Sequence, residues 1–198
     1  MRRDQLEHAI RTACQIIGAT EVIIIGSQAI LGTYKETEIP NQATVSAEVD
    51  ILPIAATNAE TAHLSDLIEG AAGELSPFEQ LHGFSLDGVD LETAALPHGW
   101  RDRLIKVQNA NTAPPSGHPQ YIGWCLDKED LCAAKLCALR EKDREFVKSL
   151  LRARLVDADI IATRLAAIPA RHHHTQIERA LQWLESTTAA LRRAQGFR

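Results

Sequence analysis

VIIIGSQAILG, residues 22–32, runs four consecutive aliphatic residues straight into Gly-Ser. An uninterrupted apolar stretch over Val22–Ile25 reads as a strand buried on both faces, and a glycine at its end marks a place where the backbone approaches another group. Ser27–Leu31 continues as one or two helical turns. No GxGxxG follows, so this is not a dinucleotide-binding turn, and without GxxxxGK[ST] it is not a P-loop. The next strand decides the matter. In SAEVDILP, residues 46–53, Glu48 and Asp50 stand two apart at the start of a second apolar strand over Val49–Ile54. In extended backbone their side chains share one face, while Val49 and Ile51 take the other. Adjacent carboxylates repel and are costly to bury, and a divalent cation removes that cost. The competing reading is a solvent-facing edge strand with two ordinary acids. The apolar flanks favour the cation.

Outward from this pair, Asp4–Ile17 carries apolar residues at helical spacing, with Gly18 to close the helix. Thr33–Ala47 is polar, contains Pro40, and reads as a long loop or mobile flap. Ala59–Ala72 is expected as a helix with Leu64, Leu67, Ile68 and Ala71 on its apolar face. Phe84–Leu86 and Val89–Leu91 flank Asp-Gly, the signal of a two-residue hairpin turn. LPHGWRDRLIKV is a turn into a further strand, Asn109–Gly117 a loop, and Tyr121–Leu126 a last short strand. From Asp127, a good N-cap, the spacing predicts one continuous helix over about Lys128–Ala153. A second helix stops at Pro169, and a last one runs over about His172–Arg193. The consecutive histidines His172–His174 face different ways on a helix and read as its solvated start rather than a metal site.

The balance of 45% hydrophobic and 24% charged residues is that of an ordinary globular protein with a real core. Apolar runs are too short to span a bilayer, and the N-terminus has no signal-peptide core, so a cytoplasmic protein is expected. Its cysteines, Cys14, Cys125, Cys132 and Cys137, are then expected as reduced thiols, with no zinc-type spacing. Charge is uneven. Residues 1–127 hold 7 Lys/Arg against 17 Asp/Glu, and residues 128–198 hold 14 against 9, balances of −10 and +5. An acidic front suits metal chemistry and a basic tail suits a nucleic-acid contact, although arginine-rich solvated helices would give the same numbers.

Together the motifs read apolar-Gly-Ser, a spacer, then acid-apolar-acid-apolar. This resembles the nucleotidyltransferase fold of the DNA polymerase beta superfamily. The resemblance implies an α+β protein: a mixed sheet with flanking helices over residues 1–126, followed by a helical C-terminal part over 127–198. It implies that Gly26 and Ser27 cradle a triphosphate and that Glu48 and Asp50 bind magnesium or manganese. It also implies a third acid on a later strand, for which Asp90 and Glu92 in GVDLETA both qualify.

CLDKEDLCAAKLCALREKDREFVKSLL narrows the family. On one straight helix Lys135 and Asp143 fall on the stripe of Leu131, Leu139, Phe146 and Leu150, about 12 Å apart at 1.5 Å per residue. They could not then satisfy each other, so each needs its own partner. A nucleotide pocket would supply both. The alternative is a snorkelling Lys135, with Asp143 paired to Arg140 or Lys142 at the rim. The K-L-x-A-x-R-x-K-D pattern resembles the signature of AbiEii-type nucleotidyltransferases, including toxins of type IV toxin–antitoxin systems and MenT-type toxins. SAEVDILP, LPHGWRDRL and REKDREFVKSLL together most resemble the DUF6036 branch, over roughly residues 1–155. The resemblance implies NMP transfer from an NTP to a tRNA-like RNA end or a protein hydroxyl, with an antitoxin as a further partner and no membrane. Lys135 would balance triphosphate charge, and Asp143 would orient Lys135 or the acceptor. The rival expectation is a catalytically silent nucleotide- or partner-binding module on the same fold.

Overall fold

The computed structural model describes residues 1–91, 94–169 and 174–196. Five strands form one mixed sheet in the order β3-β2-β1-β5-β4: β1 (Glu21–Ile24), β2 (Glu48–Pro53), β3 (Ser85–Gly88), β4 (Ile105–Val107) and β5 (Ile122–Cys125). β1 pairs antiparallel with β2 and parallel with β5, while β2 pairs parallel with β3 and β5 antiparallel with β4. With its flanking and C-terminal helices this is the α+β, nucleotidyltransferase-like architecture expected.

Apolar alternation sorts the sheet into two faces. Val22, Ile24, Val49, Ile51 and Leu86 point into the main core, beneath α1 (Arg3–Ile17) and α3 (Asn58–Ala72). Ile23, Ile25, Leu52 and Val89 point the other way, into a smaller cluster that Trp100, Leu104 and Trp124 cover in part. α1 buries Leu6, Ala9, Ile10 and Ala13 and ends at Gly18 with φ 66°. After β1 a short 3₁₀ turn, Ser27–Ala29, leads into α2 (Ile30–Thr33), whose Ile30 and Leu31 are fully buried.

Several expectations change. Residues 34–47 are the long loop expected rather than a free flap: they form short 3₁₀ turns, bury Ile39 and Ala43, and are tied down by Gln28 Nε2, which donates to Ser46 O at 2.7 Å. The buried stripe of α3 is Thr61, Ser65, Ile68 and Ala72 rather than the stripe through Leu67, which is 42% exposed. The stripe shifts because α3 lies tightly on β3, and Ser65 Oγ donates to Val89 O at 2.9 Å. There is no hairpin at Asp87-Gly88. Both residues belong to β3, and a Cβ on Gly88 would stand 2.1 Å from Ser65 O. That glycine serves the close approach of α3, not a turn. Between α3 and β3 lies α4 (Pro77–His82), capped by Ser76.

The C-terminal half begins as expected, with Asp127 accepting from the N–H groups of Glu129 and Asp130 at the head of α5 (Lys128–Ala138). The single long helix does not exist. Leu139 adopts a left-handed conformation (φ 52°), Arg140 is extended, and the chain restarts as α6 (Glu141–Arg152). α7 (Ala158–Ala166) and α8 (His174–Gly196) follow. His172 and His173 lie outside the described residues, and His174 opens α8, exposed. Among the described residues no helix is long and apolar enough to cross a membrane.

Candidate active site

β1 and β5 run parallel and finish at the same end of the sheet, and β2, antiparallel to β1, starts there. The loop after β1, the first residues of β2, their register partners on the parallel β3 and the C-terminal turns of α5 therefore meet at one place. They line a cleft of about 590 Å³, walled by Gly26, Ser27, Glu48, Asp50, Asp87 and Lys135, with Arg140 and Lys142 opposite.

Parallel pairing sets the acids. Asp50 and Asp87 are register partners on neighbouring strands, and Glu48, two residues before Asp50, shares their face. Asp50 is half-buried, and its carboxylate fills the space above Gly26: a Cβ on that glycine would stand 1.3 Å from Asp50 Oδ2. The group approached at the end of VIIIG is thus the aspartate itself. Burial, then the Asp87 charge, raises the Asp50 pKa against the opposing pull of Lys135 and Lys142. Burial and then Asp50 raise Glu48, while burial and then Glu48 raise Asp87, the last two lying within hydrogen-bonding reach of each other. Every member of the trio is thus held above its ordinary value, so the cluster is short of positive charge.

Lys135 faces these acids from α5, while its Nζ donates to Asp143 Oδ1 at 3.1 Å and sits 4.7 Å from the Phe146 ring centroid. Asp143 is fully buried and also accepts from Arg140 Nε at 2.6 Å. Burial pushes the Asp143 carboxyl up, but the Arg140 hydrogen bond and the Lys135 charge outweigh it and hold the group below the usual range. The inference that Lys135 and Asp143 are too far apart to pair is therefore overturned. The left-handed Leu139 folds α6 back against α5, so an acid two turns along a straight helix returns to its lysine.

The structure brings Gly26, Ser27, Glu48, Asp50 and Lys135 to one cleft, with Asp143 behind Lys135. Asp90, past the end of β3, is not in the cleft wall, and Glu92 lies outside the described residues. Asp87, which sequence reasoning did not single out, lines the cleft beside Glu48 and Asp50. Its signal was the alternation of Ser85 and Asp87 about buried Leu86, which the Asp-Gly pair obscured. Arg140 and Lys142 in the cleft wall, and Gln176 from α8, were not expected there.

Three carboxylates of raised pKa on one sheet face form an all-oxygen donor set that fits a hard divalent cation such as magnesium. As the side chains stand, however, among the described residues no group of three acidic, His or Cys residues forms a ready metal-holding cluster. Substrate phosphate would have to complete such a site.

An α+β fold that sets paired strand acids beside a Gly-Ser turn and a lysine has the groups that handling a phosphoryl substrate needs. The chain belongs to the family described as nucleotidyltransferase of unknown function (DUF6036), whose model matches residues 4–187. Neither a curated protein nor a solved structure matches it.

Proposed function

We propose that this nucleotidyltransferase is metal-dependent and transfers NMP from an NTP to a hydroxyl acceptor. The observation that carries the reading is the trio Glu48, Asp50 and Asp87, set by strand register opposite Lys135 and beside Gly26-Ser27. These carboxylates would hold magnesium or manganese, which when bound offsets phosphate charge and makes the acceptor hydroxyl more acidic. Gly26 and Ser27 bind the phosphates through backbone N–H groups and the serine hydroxyl. Lys135 neutralises charge on the triphosphate, and Asp143, with the Phe146 ring, fixes its amine in place. Asp87 takes the proton that the acceptor hydroxyl gives up as its oxygen bonds to phosphorus. The charge of Arg140 and Lys142 holds the leaving pyrophosphate across the cleft.

The α5–α6 signature extends the reading to AbiEii- and MenT-like enzymes within the polymerase beta superfamily. On that reading the acceptor is a tRNA-like end or a protein hydroxyl in the cytoplasm, and the protein is the toxin of a pair with an antitoxin. A catalytically silent binding module is the second reading, favoured by the acids not forming a ready metal cluster as they stand.

The deciding experiment supplies each labelled NTP in turn with magnesium, total RNA and total protein. Labelled product is expected with one or more nucleotides and is lost in Asp50→Asn. No product from folded, NTP-binding protein would overturn transfer in favour of the silent module.

A further inference from the structure

α8 packs more closely against α5 and α7 than against α6, leaving a second cavity of about 600 Å³ between α6 and α8. Arg144, Lys148 and Arg152 line it from α6, interleaved with Glu141 and Glu145, with Trp183, Thr187 and Leu191 opposite. The three cations are spaced four residues apart, so they form a row on one helix face with about 6 Å between steps. Glu145 contacts Lys148 at 3.4 Å across an exposed surface, a weak pairing. Arg144 Nε is buried and has no hydrogen-bond partner, and so is Thr188 Oγ1 in the adjoining hollow, which shares Leu191 with the first. Orphaned buried donors cost about 1–3 kcal/mol each. Arg144 Nε–H is thus a donor that no group among the described residues takes up.

The same helix begins in the first cleft, where Arg140 and Lys142 stand. Five cations, Arg140, Lys142, Arg144, Lys148 and Arg152, thus extend from the cleft to the far end of α6 and outnumber the interleaved Glu141 and Glu145, in the half of the chain whose balance is +5. We propose that the α6–α8 seam binds the phosphate backbone of single-stranded nucleic acid, whose terminal hydroxyl reaches the cleft. This rests on the proposed function for the identity of the cleft's chemistry. A linear polyanion fits because it can follow the row of cations into the cleft, while Trp183 offers a ring on which a base can stack. An acidic helix would match the charge but has no reason to continue into the cleft.

The test uses the full chain, a fluorescein-labelled 12-nucleotide oligouridylate and anisotropy without magnesium, across a salt series. Wild type is expected to bind with a strong salt dependence. R144Q/K148Q/R152Q should weaken binding at least tenfold and flatten the log–log salt slope by about 2, at about 0.7 per phosphate contact. R152Q alone, at an exposed position that leaves folding intact, should flatten it by about 0.7. NTP binding in the cleft should not change. No RNA binding by wild type, an unaltered slope in R152Q, or equally tight binding of a polyglutamate peptide of matched charge would overturn the proposal. Failure of NTP to bind wild type, with the α6-dependent RNA affinity intact, would instead defeat the proposed function and leave the seam as a nucleic-acid site.

Discussion

Gly26 is a glycine because of its neighbour rather than its torsion. Its φ of −87° suits any residue, yet a methyl group there would coincide with the Asp50 carboxylate. Gly26→Ala is therefore expected to drive Asp50 out of the cleft and weaken magnesium-dependent NTP binding at least tenfold by calorimetry, with a lower Tm. The third acid is tested by a pair of variants. Asp87→Asn should lower turnover at least a hundredfold, while Asp90→Asn should keep most of it per folded molecule. A reversed result would move the third ligand past the end of β3. That Gly26, Ser27, Glu48 and Asp50 share one cleft was legible because charged and flexible residues at the tip of a buried apolar strand are costly to fold around unless they face a solvent-filled space. Asp87 was not. Asp-Gly has one dominant local meaning, and only the packing of α3 against Gly88 shows why a glycine stands within a strand.

Between α5 and α6 the chain reverses at Leu139 and Arg140 with neither glycine nor proline to mark the place. Local propensity over ALREKDRE favours uninterrupted helix, and the buried pairing of Asp143 with Lys135 and Arg140 overrides it. Such a break is invisible to periodicity, since both segments keep their apolar stripes. Asp143→Asn breaks the buried pairing and is expected to cost about 3 kcal/mol at neutral pH. The sign with pH follows from the depressed pKa of Asp143. Its stabilisation is fully present above the ordinary aspartate value of 3.8 and is lost as pH falls through the lower folded value. Urea melts at pH 7, 5, 4 and 3 should show the gap between wild type and variant closing only at the acid end. A gap independent of pH would mean that shape, not charge, holds the two helices together. Leu75, in a left-handed conformation (φ 63°) and 81% exposed, offers the opposite case. Leu75→Gly loses no packing and should raise stability by about 0.5 kcal/mol, the relieved strain less the added freedom of the unfolded chain.

Across the whole molecule one continuous apolar cluster runs from Leu6 to Leu184, through the sheet and the C-terminal helices. Asp130, fully buried in α5, stitches it further: Arg103 donates to both its oxygens, at 2.8 and 3.0 Å, and Arg164 of α7 approaches at 3.1 Å. Burial raises the Asp130 pKa against the pull of both arginines, so Asp130→Asn, which loses hydrogen bonds to partly solvated guanidinium groups, is expected to cost about 1–3 kcal/mol, read by calorimetry as one transition at lower temperature. Two separated transitions would mean that the halves melt independently. The strands near the site and the class of fold were readable from apolar runs and their interruptions. Their order was not, because nothing local in Val22–Ile25 says that its second neighbour is Ile122–Cys125.

That distant neighbour bears on how the protein is made. While a ribosome extends the chain, β1 can acquire β2 early, but its other edge, Glu21 to Ile24, waits for residues 122–125. At about 5–20 residues per second the wait is about 5–20 s, with an apolar strand edge open to any passing partner. The nascent chain is thus most exposed to misassembly before the active-site end of the sheet can close, and a holdase that shields β1 would raise the yield of folded protein more than one acting on the helical tail.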